Sequence, residues 1–167
     1  MKTILLNKEQ VLLKNNYLYL KNKYFCSIKK PINLTIYYTK NSLIIKSNYF
    51  NKKIENSFFK IINNLLIGIN VFWQIEIFIS GIGYKIYLEK NKIFLNLGFS
   101  KPKFILIPNF IKIDLKKEKI ILKSVFKDKL GSFSFKILKS KKFDPYKKKG
   151  LYLEKKFILK KSSKKKQ

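Results

Sequence analysis

A chain of 167 residues that is 46% hydrophobic and 16% aromatic has enough apolar material for one ordinary domain or two very small ones. Its formal net charge of +29, from 38 basic and 9 acidic residues, repels itself in a compact monomer, and a polyanion such as nucleic acid fits it better than any acidic small molecule. With no His and a single cysteine, Cys26, the composition also excludes an internal disulfide and a Cys/His metal cluster, so Cys26 is expected as a small core residue.

In chain order, the start MKTILLNKEQ has too short an apolar run for a signal segment, and export is not expected. From Tyr17 to Ser47 the runs YLYL, LTIYY and SLIIKS, punctuated by Asn and Lys, predict short strands. The period changes at Lys52. Ile54, Phe58, Ile61, Ile62, Leu65, Leu66 and Ile69 fall on one side of a helix that runs to Asn70. Alternation in QIEIFIS and KIFLNLGF predicts a strand-rich zone from Val71 to Lys123. Phe126, Leu130, Phe133 and Ile137 predict a second helix, weakened at Gly131 by about 1 kcal/mol relative to Ala. The apolar stretch from Ile61 to Ile79 is interrupted by Asn63, Asn64, Asn70, Gln74 and Glu76, short of the ~20 apolar residues of a spanning helix, so no membrane span is expected.

The order of elements repeats, and so do residues. A shift of 77 positions pairs Pro31 with Pro108, Leu34 with Ile111, Ile36 with Ile113, and Ile44, Ile45, Lys46 and Ser47 with Ile121, Leu122, Lys123 and Ser124. One position less brings Phe59, Lys60 and Ile61 onto Phe135, Lys136 and Ile137. The expected fold is α+β: two duplicated small domains, each an antiparallel sheet packed on one helix, with a basic C-terminal extension. The expected divisions are 1–78, 79–143 and 144–167. Charge is uneven between them: Met1 to Ser80 carries 12 Lys and 3 acids, Gly81 to Gln167 carries 26 Lys and 6 acids. From Lys139 onward stand 13 Lys with only Asp144 and Glu154, and an extended arm that orders beside phosphates is expected there.

Every basic residue is Lys, and Arg and Ala are absent. Residues with A/T-rich codons dominate, which reads as mutational pressure in an A/T-rich genome. Its physical consequence is that phosphates must be held by compact ammonium groups rather than by the Arg fork, favouring electrostatic binding with modest base specificity.

Three segments carry the most information. In GIGYK, Gly81 and Gly83 flank one residue, permitting a close backbone approach or a β-bulge, and without a third glycine and a following helix they do not make a dinucleotide-binding loop. In NLGFSKP, Gly98 ends a strand and Pro102 blocks its simple continuation. In DPYKKKGLY, a proline-fixed turn presents Tyr146 and three consecutive lysines, with Tyr146 placed either to stack on a base or to pack beneath the ammonium groups. Together, in this order and spacing, the segments resemble the large-subunit ribosomal protein six family. The matching positions are Gly81, Gly83, Tyr84 and Lys85; Leu97, Gly98, Phe99, Ser100 and Pro102; Asp128 and Lys129; and Pro145, Tyr146, Lys147, Lys149 and Gly150. The resemblance is specific from Gly81 to about Lys156 and only architectural before it. Lys101 stands where the family usually has His and Lys148 where it has Gly, and the stretch between Lys129 and Gly131 is about two residues short. If that Gly supplies a positive φ, Lys148 must adopt it at a cost.

The resemblance implies a structural, non-enzymatic protein of the large ribosomal subunit. Its second domain and tail would bind large-subunit ribosomal RNA near the factor-binding region, and its first domain would face solvent and neighbouring ribosomal proteins. The RNA-binding set expected on this basis is Gly81, Gly83, Tyr84, Lys85, Gly98, Ser100, Lys101, Lys139, Lys141, Lys142, Pro145, Tyr146, Lys147, Lys148, Lys149, Gly150, Lys155 and Lys156. No cofactor, metal or small-molecule substrate is expected. The codon bias suits an organelle, with the mitochondrion favoured over a plastid-type organelle. Two other readings compete: a polybasic nucleic-acid-binding or anionic-membrane-surface protein outside any ribosome, and a metal-dependent nuclease using Asp114, Glu118 and Asp128, the nearest thing to an acidic group.

Overall fold

A computed structural model describes residues 2–5, 11–39, 42–47 and 52–153. The chain divides into two compact units: Met1–Phe72 with Val125–Lys127, and Trp73–Ser124 with Asp128–Gln167. The first division thus falls at Phe72, ahead of the expected residue 78, because the strand that follows it is wholly part of the second unit.

The first unit contains strands β1 (Lys2–Leu5), β2 (Val11–Lys14), β3 (Tyr17–Lys21), β4 (Phe25–Lys29), β5 (Leu34–Thr39) and β6 (Ser42–Ser47), then helix α1 (Lys52–Asn70). They form two antiparallel three-stranded sheets, in the orders β1-β6-β5 and β2-β3-β4. Asn15 and Asn16, both at positive φ, make the two-residue turn joining β2 to β3, the geometry whose twist matches that of a hairpin. Helix α1 takes the predicted span. Phe58, Ile62, Leu65 and Ile69 are buried, and Ile54, Ile61 and Leu66 pack at the margin of the same core with Leu18, Leu20, Leu34, Leu43 and Ile45. Glu55 in the first turn suits the positive end of the helix dipole. Phe126 lies just before the second helix and packs against this core with the buried Val125, so it is not part of the second helix's stripe as expected.

The second unit repeats the plan with β7 (Trp73–Ser80), β8 (Lys85–Glu89), β9 (Lys92–Asn96), β10 (Lys103–Leu106), β11 (Lys112–Lys116), β12 (Lys119–Ser124), α2 (Lys127–Ser140) and β13 (Gly150–Leu153). One sheet is the meander β10-β9-β8, the other runs β11-β12-β7-β13. Strands β5 and β6 correspond to β11 and β12 at the 77-residue shift, and β1 lies beside β6 as β7 lies beside β12. The buried Leu18 and Leu20 of β3 correspond to the buried Ile93 and Leu95 of β9. Leu130, Phe133 and Ile137 of α2 close this core over Ile77, Ile120 and Leu122. The helix runs through Gly131, whose carbonyl oxygen accepts a hydrogen bond from Ser134 Oγ at 2.8 Å. The architecture is therefore α+β with two helices and several small antiparallel sheets among the described residues, consistent with duplicated sheet-plus-helix domains. No helix of the described residues is long and apolar enough to cross a membrane.

Cys26 is buried on β4 in the first core, and burial pushes its thiol up to about 11. Because only the thiolate reacts readily, native protein at neutral pH should label with a thiol reagent far more slowly than denatured protein. Stopped-flow labelling across a denaturant series checks this, with the rate expected to rise as the first unit unfolds.

Candidate nucleic-acid interface

The most basic described stretch lies between α2 and β13. Five lysines stand there, and the backbone that carries them is fixed by its own bonds against their mutual repulsion. Asp144 Oδ1 accepts hydrogen bonds from the backbone N of Tyr146 at 2.9 Å and of Lys147 at 3.3 Å, an Asx turn around Pro145. The backbone N of Asp144 donates to the carbonyl oxygen of Lys149 at 2.8 Å, closing the loop at its base. Ser80 Oγ donates to the carbonyl oxygen of Lys148 at 2.7 Å and ties the loop to the end of β7. Lys148 has φ +55, the left-handed conformation that a glycine takes without cost and a lysine only at some cost. Gly150, at φ +136, opens β13 opposite Ser80, and a Cβ there would lie 2.5 Å from Phe143 Cα and 2.6 Å from the Lys142 carbonyl oxygen.

From Ser80 the surface continues into the glycine turn. The backbone N of Tyr84 donates to the Gly81 carbonyl oxygen at 3.3 Å. The Tyr84 ring then folds back over Gly81, where a Cβ would come within 2.8 Å of it, and its other edge faces Gly98, where a Cβ would stand 3.5 Å away. One aromatic ring thus joins the GIGYK and NLGFSKP segments, and glycine is required at Gly81 because the ring occupies the space a side chain would take. Beside Gly98, the Phe99 ring has Lys103 Nζ at 4.1 Å and Lys141 Nζ at 4.5 Å from its centroid, within cation–π range. Lys103 Nζ also donates to the carbonyl oxygen of Ser140 at the negative end of α2, at 3.3 Å. The Lys141 carbonyl oxygen accepts from the backbone N of Leu151 on β13 at 3.3 Å, which brings the path back to the lysine loop.

The predicted residues Gly81, Tyr84, Gly98, Lys141, Lys142, Pro145, Tyr146, Lys147, Lys148 and Lys149 therefore belong to one connected surface of the second unit, with Gly150 buried beneath it. Gly83 has open space where a Cβ would stand. Lys85, Ser100, Lys101 and Lys139 are exposed on neighbouring strand, turn and helix ends. Tyr146 is 58% exposed at the loop tip. Lys155, Lys156 and the closing lysines of the expected arm lie outside the described residues. The sequence reading missed Ser80 and Lys103. Ser80 has no local signature, since its partner is 68 residues away; Lys103 follows Pro102 and was readable only as one more lysine.

The carboxylates are placed for structure. Lys119 Nζ donates to Glu76 at 2.5 Å, and that hydrogen bond, with a second from Gln74 at 2.8 Å, lowers the Glu76 carboxyl from its ordinary value. Asp114 pairs with Lys123 at 2.7 Å. Among the described residues no three His, Cys, Asp or Glu side chains are grouped to hold a metal ion.

Large ribosomal subunit protein uL6c of Phaeodactylum tricornutum is 37% identical over 105 residues, 62% of this chain and 59% of that protein. The uL6c of Thalassiosira pseudonana is 31% identical over 115 residues, 68% of this chain and 62% of that protein. Large ribosomal subunit protein uL6 of Mycoplasma genitalium is 31% identical over 144 residues, covering 83% of this chain and 78% of that protein. The chain thus spans about three fifths of the two uL6c relatives and over three quarters of the third. No family model matches the chain.

Two loop substitutions should act in opposite directions. Lys148→Gly removes the left-handed strain and should raise stability by about 1 kcal/mol or less. Gly150→Ala drives a methyl into the Lys142–Phe143 backbone and should cost roughly 3 kcal/mol. Urea denaturation of the two variants beside the parent chain reads both changes.

Proposed function

The chain belongs to the uL6 family of large ribosomal subunit proteins, and from that premise we propose that it is a structural, non-enzymatic constituent of the large subunit whose second unit binds and positions ribosomal RNA. The observation that carries the reading is the convergence of four separate segments on one cationic surface: the glycine turn, the NLGFSKP turn, the end of α2 and the lysine loop. The mechanism is positional. Ammonium groups of Lys139, Lys141, Lys142, Lys147, Lys148 and Lys149, with Lys155 and Lys156 beyond the described residues, neutralise phosphates and release counterions. Gly83 and Gly98 are exposed and Gly83 has open space where a side chain would stand, so RNA backbone can come close there, whereas Gly81 and Gly150 serve the packing of Tyr84 and Phe143 from within.

The placement near the translation-factor region and the contacts with neighbouring ribosomal proteins are carried by the family resemblance. For the compartment, the codon bias supports an organelle genome. The uL6c relatives are of the plastid type and the third is bacterial, which favours a plastid-type organelle over the mitochondrion expected from the sequence. The competing reading, a polybasic protein outside any ribosome, shares the charge but gives no reason for the ordered set of family motifs.

Native protein should co-sediment with large subunits in high Mg²⁺, and its recovery at the top of the gradient would overturn the ribosomal role. For isolated RNA, neutralising about eight phosphates predicts a loss of several decades in affinity between low and moderate salt. Replacing Lys147, Lys148 and Lys149 by Gln should flatten that salt slope by about three phosphates' worth with little change in the melting temperature, since exposed charges contribute little to folding. Filter binding over a salt series measures both.

A further inference from the structure

The outer face of the β2-β3-β4 sheet, in the first unit, has no part in the reading above. The inner face of this sheet is ordinary core: Val11, Leu18, Leu20 and Cys26 are buried. Alternate residues point the other way, and the register arranges them in rows. Tyr17 stands between Lys14 and Lys29, Tyr19 stands between Leu12 and Ser27, and Lys21 stands opposite Phe25. The Tyr17 and Tyr19 ring centroids are 6.3 Å apart; those of Tyr19 and Phe25 are 5.9 Å apart, with the planes 26° from parallel. Cross-strand contact accounts for part of this packing. It does not account for leaving Phe25 63% and Leu12 71% exposed on the outer strands of a patch that also carries Lys14, Lys21 and Lys29. The face is uniformly cationic, and the one carboxylate among the described residues of this unit is Glu55, buried on α1.

We propose that this face binds a short stretch of single-stranded RNA, its bases stacked on Tyr17, Tyr19 and Phe25 and its phosphates beside Lys14, Lys21 and Lys29. An acidic peptide would satisfy the lysines and leave the rings in water, and an apolar peptide would do the reverse. A single strand offers both at once, a flat apolar ring and an anion in every nucleotide, and ring faces accept any base. Packed duplex RNA hides its bases, so this surface takes a different target from the phosphate-reading surface of the second unit.

The test uses the full chain with Lys147, Lys148 and Lys149 replaced by Gln, so that the second-unit surface contributes little and failure of one reading is distinguishable from failure of the other. Affinity for labelled oligouridylate and oligoadenylate of about ten nucleotides is read by fluorescence anisotropy at fixed salt, and photo-crosslinks are mapped by peptide. Tyr19→Ala and Phe25→Ala should each weaken binding about tenfold or more, Tyr19→Leu should weaken it despite keeping an apolar side chain, and Tyr19→Phe should bind as the parent does. Crosslinks should fall within residues 17–25. Slow labelling of Cys26 in each variant verifies that the first unit is folded. Affinity unchanged in a folded Tyr19→Ala, Phe25→Ala double variant would overturn the proposal. So would displacement of the oligonucleotide from this face by an acidic peptide at equal affinity, which would mark the face as a protein-docking surface instead.

Discussion

The electrostatic surface of the second unit exists only because a self-repelling lysine run is held by neutral backbone bonds. Among the described residues no ion pair gathers Lys147, Lys148 and Lys149, and conformation is imposed by other bonds: the Asp144 side chain caps two backbone amides, Ser80 donates to the Lys148 carbonyl oxygen, and Gly150 lets β13 start where any side chain would strike Phe143. Lys147 and Lys148 are left exposed and Lys149 half-buried. That is the arrangement a phosphate-binding surface requires, since a lysine already paired within the protein has less to offer a phosphate.

Duplication explains how the two units share a plan and differ in electrostatics. Both have a three-stranded meander, a β-α layer and one covering helix, with buried apolar positions that correspond strand by strand. The second unit adds β13 along the free side of β7, and with β13 comes the lysine loop. An edge strand is ordinarily a liability for aggregation. Here the added strand covers that side of β7 and brings a charged loop with it. The first unit keeps a simpler sheet and places its lysines around exposed rings instead.

The chemistry of the acids fits a scaffold. Glu76 is drawn into its contacts with Lys119 and Gln74, and Asp114 into its pair with Lys123, on strands of the second sheet. Asp144 spends its carboxylate on backbone amides. These three groups shape strands and turns.

The sequence by itself determined what is local or periodic. The stripe from Ile54 to Ile69 specified α1 to its ends, since seven apolar residues on one face leave a helix no alternative burial. The repeat at a shift of 77 aligned the segments that form β5-β6 with those that form β11-β12, and the family resemblance raised the question of a positive φ at Lys148 that the structure answers. Only the tertiary structure decided that Tyr84 lies across both Gly81 and Gly98, that Phe99 sits between Lys103 and Lys141, that Phe126 packs with the first core, and that Ser80 meets the loop. The physical reason is range. Propensity and periodicity act over a few residues, whereas each of these contacts is made by chain closure between segments whose own residues carry no mark of the partner they will meet.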